Sequence, residues 1–323
     1  MSGLALLLET PGMRLASAGP DVVVAEHPAG GTHRVGVLAL EAVIIDAAPV
    51  WLDSQALSAL CTQGVPVLAL PQGRDPWRCW VQHGNHGMAL RRAQYAALDE
   101  PTLRLSQCRA LLQAKWKAQA SALHTCGAPM PAALAQAPER ALQCADVASL
   151  RGVEGATARA HWAAWGSLWG GEWGWTGRRR RPAPDPLNAL LSLGYTLALG
   201  PCAKACWRQG LEPALGWLHE PLPGRPALAL DVLEAARGGV ELWVWQVVRQ
   251  FGLTPADFEL AGEAASTTCR MAAPRRRELY AHWFMHGQPH AQRAATAMTH
   301  TLAGLLRAGA TDEPVDDNES LAM

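Results

Sequence analysis

"RPALALDVLEAARGGV", residues 225–240, decides how this chain is read. An apolar run from Ala227 to Leu230 ends in Asp231, and Glu234 follows three residues later. The run continues into "ELWVWQVVRQFG", so the whole reads as helix, with Gly238-Gly239 as the expected break. Spacing of i, i+3 puts both carboxylates on one helix face. Apolar neighbours leave them partly desolvated, and two like charges there are costly unless a cation or a proton is shared between them. Hard divalent ions such as Mg²⁺ or Mn²⁺ take carboxylate oxygens, and imidazole suits Mn²⁺. His219, in "GWLHEP" just upstream, offers the imidazole. Glu154, flanked by Gly152 and Gly155 in "RGVEGATARAHW", is the candidate third acid. Spacing alone leaves two readings open: a metal site, or a solvated helix face with a satisfied core histidine.

Away from this helix the texture changes once. Up to about residue 85, short apolar or alternating runs such as "DVVVAE", "AVIID" and "VPVLAL" are punctuated by Gly, Pro and Asp, which reads as strands. One helix interrupts them, "DSQALSALCTQG", with Asp53 or Ser54 to cap it and Gly64 to end it. From about residue 86 the apolar residues recur at helical spacing. The expected class is therefore α+β. A β-rich domain over 1–85 precedes a larger, mostly α-helical domain over 86–309, and a disordered acidic tail occupies 310–323. The last helical stretch, from about Pro274 to Ala308, is expected to be interrupted near Gly287 and Pro289.

The 323 residues include 28 Lys plus Arg and 28 Asp plus Glu, so no overall basic charge advertises nucleic acid. The basic residues are nonetheless clustered: Arg91-Arg92, Arg178 to Arg181, and Arg275 to Arg277. The run Arg178, Arg179, Arg180, Arg181 follows "EWGWTG". Its Gly, Pro and charges predict an exposed, mobile loop. It is either a solvated loop or a phosphate-neutralising one, with Trp residues placed to stack on unpaired bases. The histidine series His282, His286, His290 and His300 has metal-like spacing in part, but Pro289 breaks the register and no acid or cysteine completes a site. The eight cysteines contain no CxxC pair, and reduced, buried thiols are expected. No continuous apolar stretch reaches the length of a membrane span, so no membrane partner is expected and the chain is read as cytoplasmic.

Four pieces in order carry a resemblance: "ALRRAQYAALDEP", "LRGVEGATARAHW", "RRRRPAPDPLNALLSLGYTLAL" and "GLEPALGWLHEPLPGRPALALDVLEAARGGV". Together they resemble the universal integrase subunit of CRISPR adaptation, which captures new spacers, over roughly residues 1 to 285. The resemblance implies metal ligands at Glu154, His219 and Glu234, with Asp231 as the additional acid and Mg²⁺ or Mn²⁺ as the cofactor. It implies DNA contacts at Arg91, Arg92, the arginine run and Asn188. The family's R-x-P-x-D-P-x-N segment falls on Arg180, Pro182, Pro184 (shifted by one), Asp185, Pro186 and Asn188. It implies a homodimer formed through the β domains, two dimers flanking a dimer of a small ferredoxin-like partner, and double-stranded DNA with free 3′ ends plus repeat DNA as substrates. The implied reaction is strand transfer of a 3′-hydroxyl onto a phosphodiester. A structure-specific endonuclease on branched DNA uses the same ligands, and a non-catalytic DNA-binding scaffold is the reading from another class. Two departures stand out. The aromatic expected after the Glu-Gly element is His161, followed by Trp162. The aromatic-Arg-Pro expected after the D-x-x-E element reads Ala236-Arg237-Gly238.

Overall fold

The unbroken apolar runs of the first 70 residues are explained by a sheet covered on both faces. The computed structural model describes residues 4–19, 21–70, 78–80, 88–180, 182–261 and 268–310. In order come β1 (Leu4–Leu8), β2 (Arg14–Ser17), β3 (Val22–Glu26), β4 (Thr32–Gly36), β5 (Leu40–Ile45), β6 (Trp51–Leu52), α1 (Ser54–Thr62), β7 (Val67–Ala69) and β8 (Arg78–Trp80). One sheet has the order β1-β5-β7-β8, with β1, β5 and β7 parallel and β8 antiparallel to β7. The other has the order β4-β3-β2-β6, an antiparallel meander with β6 added in parallel. Asp53 caps α1, accepting from the Ala56 N–H and also from the Ser17 N–H, both at 2.7 Å, so one carboxylate ties helix to sheet.

The first sheet is a wall between two cores. Val43 and Val67 face a small core with Leu8, Leu15, Val23 and Leu60. Their neighbours Ile44 and Leu68 face the helices. Successive strand side chains point to opposite faces, so a strand buried on both sides is apolar throughout. Both ends of β5 are latched to the helices by polar contacts: Tyr280 donates to Asp46 at 2.8 Å and Gln292 to Glu41 at 3.0 Å.

The helical part contains α2 (Met88–Asp99), α3 (Pro101–Cys126), α4 (Ala132–Ala135), α5 (Ala137–Leu142), α6 (Val147–Gly166), α7 (Pro186–Gln209) and α8 (Ala227–Arg249). After these come β9 (Phe258–Ala261), β10 (Thr268–Met271), α9 (Ala273–His282) and α10 (Gln288–Ala310). The α+β class is as expected. α8 is central, packed by α3, α7 and α10. Among the described residues α7 is the one helix long and apolar enough to cross a bilayer, and 72% of its apolar window is buried inside the fold. Its Cys202 and Cys206 lie in that core, where burial pushes both thiols up.

Three expectations need correction. Gly238-Gly239 does not break α8, which runs unbroken to Arg249. A Cβ at Gly238 would lie 2.2 Å from the Ala118 carbonyl oxygen, so this glycine lets α3 approach α8 backbone to backbone. Gly194 of α7 serves the same purpose against Val240, where a Cβ would sit 2.7 Å from Cγ1. The interruption expected near Gly287 and Pro289 is not a break: a π-turn over Trp283–Gly287 interrupts the α-helical bonding and joins α9 to α10, and Pro289 lies in the first turn of α10. A Cβ at Gly287 would meet the Trp283 ring, which itself packs edge-on against Trp243 at 5.0 Å. The antiparallel β9–β10 pair was not expected; the Cys269 N–H donates to the Ala183 carbonyl and holds it to the approach of α7. The histidine series serves packing here. His282 accepts from the Trp243 indole at 3.1 Å and stacks with His286 at 4.4 Å, while His290 faces Arg293. Of the tail expected at 310–323, residues 311 onward lie outside the described residues.

The glycine argument is checked by urea unfolding of two variants. Gly238→Ala is expected to lose about 1–3 kcal/mol, because the Ala118 backbone has nowhere to move. Gly304→Ala, in α10 with open space around it, is expected to gain about 0.5–1 kcal/mol.

Candidate active site

The loop from 210 to 226 is laid onto the first turn of α8, and Asp231 fastens it there. Asp231 is fully buried. Its carboxylate accepts the backbone N–H groups of Trp217 at 2.7 Å, Leu218 at 3.0 Å and His219 at 2.8 Å. Gly216 makes this fit possible: a Cβ there would lie 2.7 Å from the Ala227 carbonyl carbon and 2.8 Å from Asp231 Oδ2. The same carboxylate holds His219 Nδ1 at 2.6 Å. A carboxylate only accepts, so Nδ1 carries a proton, and in the neutral ring Nε2 is the nitrogen left with a lone pair. Asp231 is thus the residue that orients His219. The loop is also clamped from outside. Gln94 of α2 donates to the Glu212 and Leu215 carbonyls and accepts from the Glu212 N–H. Arg104 of α3 donates to the Trp217 carbonyl, and Arg151 of α6 to the Leu218 carbonyl.

Glu234 lies one turn along α8 and is almost completely buried. Arg237, three residues on, meets it with two hydrogen bonds of 2.7 Å each. Lys115 of α3 reaches the same carboxylate at 2.9 Å and Glu154 of α6 at 2.5 Å. Burial alone would raise the Glu234 carboxyl, but Arg237 and Lys115 outweigh it and hold the group far below the usual carboxylate range. Gly152 and Gly155, on either side of Glu154, have open space where a Cβ would stand. This leaves Glu154 the more exposed member of the pair.

A second polar cluster lies behind the first. Glu241 of α8, fully buried, accepts from Tyr195 of α7 and Gln119 of α3, both at 2.9 Å. His161 Nε2 lies 2.9 Å from its other oxygen, an ion-pair distance without hydrogen-bond alignment. Burial raises Glu241, and these neighbours bring it net below its ordinary value. The departure at His161 therefore faces a buried acid. The departure at Ala236-Arg237-Gly238 keeps the arginine on Glu234 and substitutes a helix-packing glycine for the proline.

The arginine loop meets the site through Tyr195. Arg178 and Arg237 stand over the same Tyr195 ring, at 5.6 Å and 4.7 Å. Arg178 also donates to Asn188 and Ser192, and burial brings its guanidinium down to about 10. Asn188 is fully buried; it accepts from Arg178 and the Arg179 N–H and donates to Asp185 and the Gly177 carbonyl. It therefore shapes the loop from inside, while Arg179 and Arg180 are exposed. Arg181 lies outside the described residues. The expectation of exposed tryptophans fails: Trp173 is buried, and Trp175 rests on Gly166 and packs against Trp162 and Trp165. On α2, Arg91 is half-buried and Arg92 exposed.

Glu154 and Glu234 are thus joined through Lys115, and Asp231 fixes the ring of His219. Among the described residues no group of three His, Cys, Asp or Glu side chains is gathered closely enough to hold an ion. The carboxylate pair nevertheless fits a small cation, since it already grips one, the Lys115 ammonium. Two carboxylates with an open imidazole nitrogen nearby suit Mg²⁺ or Mn²⁺. Sequence reading missed Lys115, Arg237, Arg104 and Arg151. Arg237 carried a signal as the arginine kept in the Ala236-Arg237-Gly238 element, and Lys115 as one of three lysines in the chain, set in the helical run "LLQAKWKAQ".

The family described as CRISPR associated protein Cas1 matches residues 6–284. A relative from Rhodospirillum rubrum, named CRISPR-associated endonuclease Cas1 2, is 34% identical over 224 residues, covering 61% of this chain and 64% of its own length. The chain spans less than two thirds of the length of this relative and of two other curated relatives it matches. A Cas1 protein from Thermotoga maritima superposes with a TM-score of 0.82 at 18% identity, covering 98% of this chain and 99% of that one. A casposase bound to integration product superposes with a TM-score of 0.78 at 19% identity, covering 93% and 90%.

The orienting role of Asp231 is checked by Asp231→Asn. The amide turns an N–H toward donors, which is expected to cost about 1–3 kcal/mol in urea unfolding. Asp231→Ala, which leaves no acceptor for His219 Nδ1, is expected to speed the exchange of that proton in the NMR spectrum. An unchanged exchange rate would show that the loop alone orients the ring.

Proposed function

We propose, from the premise that this chain belongs to the Cas1 family, that it joins 3′-hydroxyl ends of captured DNA fragments to repeat DNA by phosphodiester strand transfer. The observation that carries this reading is the convergence of Glu154 and Glu234, from two helices, on one cation, with His219 held in a fixed orientation by Asp231, one turn before Glu234 on the same helix. Glu154, Glu234 and His219 would hold Mg²⁺ or Mn²⁺, which supplies a lowered hydroxyl pKa and offsets charge developing on the phosphate. In the transfer, the 3′-oxygen forms a bond to phosphorus as the bond to the repeat strand's leaving oxygen breaks.

The residues around this centre have separable tasks. Asp231 fixes the ring of His219, and Arg237 fixes the carboxylate plane of Glu234. Such preset geometry lowers the cost of reaching an in-line arrangement. Arg179 and Arg180, exposed on a loop tied to the site through Arg178 and Tyr195, would neutralise backbone phosphates, as would Arg92. Asn188 keeps that loop in shape. The open space at Gly152 and Gly155 leaves room for a strand beside Glu154. The chain would act as a homodimer formed through its β-rich part, where Leu38 and Trp51 remain largely exposed, with a small ferredoxin-like partner.

The test supplies the protein and its partner with a short duplex, a repeat-containing plasmid and Mn²⁺ or Mg²⁺. Joining is expected to need a free 3′-hydroxyl and to disappear in Glu154→Ala and His219→Ala. Joining with a blocked 3′ end would overturn the mechanism. Cleavage of branched DNA without any joining would assign the site to hydrolysis instead.

A further inference from the structure

Lys115 is the group in the site that a metal-holding role for the carboxylates does not use. Its ammonium lies 2.5 Å from Glu154 and 2.9 Å from Glu234, between two acids carried by different helices. Its side chain is only 8% exposed, on a helix face that also buries Leu111, Leu112 and Gln119. Both oxygens of Glu234 have partners: Oε1 has Arg237 Nη2, and Oε2 has Arg237 Nε together with Lys115. Arg237 is a planar fork on both oxygens, stacked on Tyr195, three residues away on the same helix. Lys115 is a point charge on a flexible four-carbon stem. Of the two partners, only Lys115 also bridges to Glu154.

We propose that Lys115 is a resident counter-ion that closes the Glu154–Glu234 pair in the metal-free chain, and that a divalent ion binds by exchange for it. The inference rests on the reading of Glu154 and Glu234 as metal ligands. An ammonium and a dication repel, and both need the place where the two carboxylates converge. The lysine thereby keeps a buried and a half-buried acid from repelling each other before the ion arrives. It also sets a threshold on metal affinity, since each ion bound must displace a charge-assisted contact. On exchange the ammonium is released next to the site.

Two measurements on the full chain test this with the metal alone, without DNA. Mn²⁺ binding is titrated by electron paramagnetic resonance for the wild type and Lys115→Met, which keeps the stem and removes the charge. The variant is expected to bind Mn²⁺ about tenfold or more tightly. In the wild type, amine-reactive labelling read by mass spectrometry should find Lys115 protected without metal and labelled faster with Mn²⁺. Should Lys115→Met fail to fold, the labelling decides alone. Equal or weaker Mn²⁺ binding in a folded Lys115→Met, or labelling unchanged by Mn²⁺ that the wild type demonstrably binds, overturns the exchange while leaving the metal reading intact. Mn²⁺ bound by neither chain overturns the metal reading and the exchange with it.

Discussion

A negative charge buried on α8 is the constraint around which the rest is arranged. Glu234 sits in a helix whose inward faces also bury Leu228, Val232 and Val244 completely. Leaving such a charge unpaired costs about 3–5 kcal/mol. Two cations answer it from two directions: Arg237 along the helix and Lys115 across the helix interface. Reaching Lys115 demands that α3 come close, and the absence of a side chain at Gly238 makes that approach possible. The electrostatics of the site and the packing of the core are therefore one requirement met by neighbouring residues.

The same economy recurs on either side. Asp231, one turn earlier, uses its charge on three backbone N–H groups and one imidazole, so that a loop without regular structure has a fixed course. Glu241, two turns after Glu234, gathers Tyr195, Gln119 and His161. Tyr195 then offers its ring to Arg178 and Arg237 together, which links the arginine loop to the carboxylates. Three acids on one helix thus organise a loop, a candidate reactive centre and a supporting layer. The β-rich part stands outside this arrangement but not apart from it, because β5 and β7 present Ile44 and Leu68 to the helical core.

Much of this was legible from residue patterns, and the failures have physical reasons. Periodicity marks the change from strands to helices, and the caps at Asp53 and the acids of D-x-x-E read directly, because they depend on local spacing. Lys115 did not read as a site residue, because its partners lie 39 and 119 positions away in sequence and only packing joins them. Gly238-Gly239 read as a break because helix propensity sees lost side chains, whereas the fold uses Gly238 for close approach. The loop of "GGEWGWTG" read as exposed because glycine and charge outnumber apolar residues. Its tryptophans instead extend a cluster begun by Trp162, Trp165 and Trp169 of the preceding segment. Asn188 read as a DNA contact from its place in a resemblance, and burial assigns its amide to the chain's own atoms.

The central claim, that Glu154, Glu234 and His219 surround one ion, is tested most directly by anomalous diffraction from crystals of the protein soaked in Mn²⁺. The account predicts a manganese peak between the Glu154 and Glu234 carboxylates on the Nε2 side of His219. A peak elsewhere, or none at the carboxylates with the soaked crystals still diffracting, would contradict it.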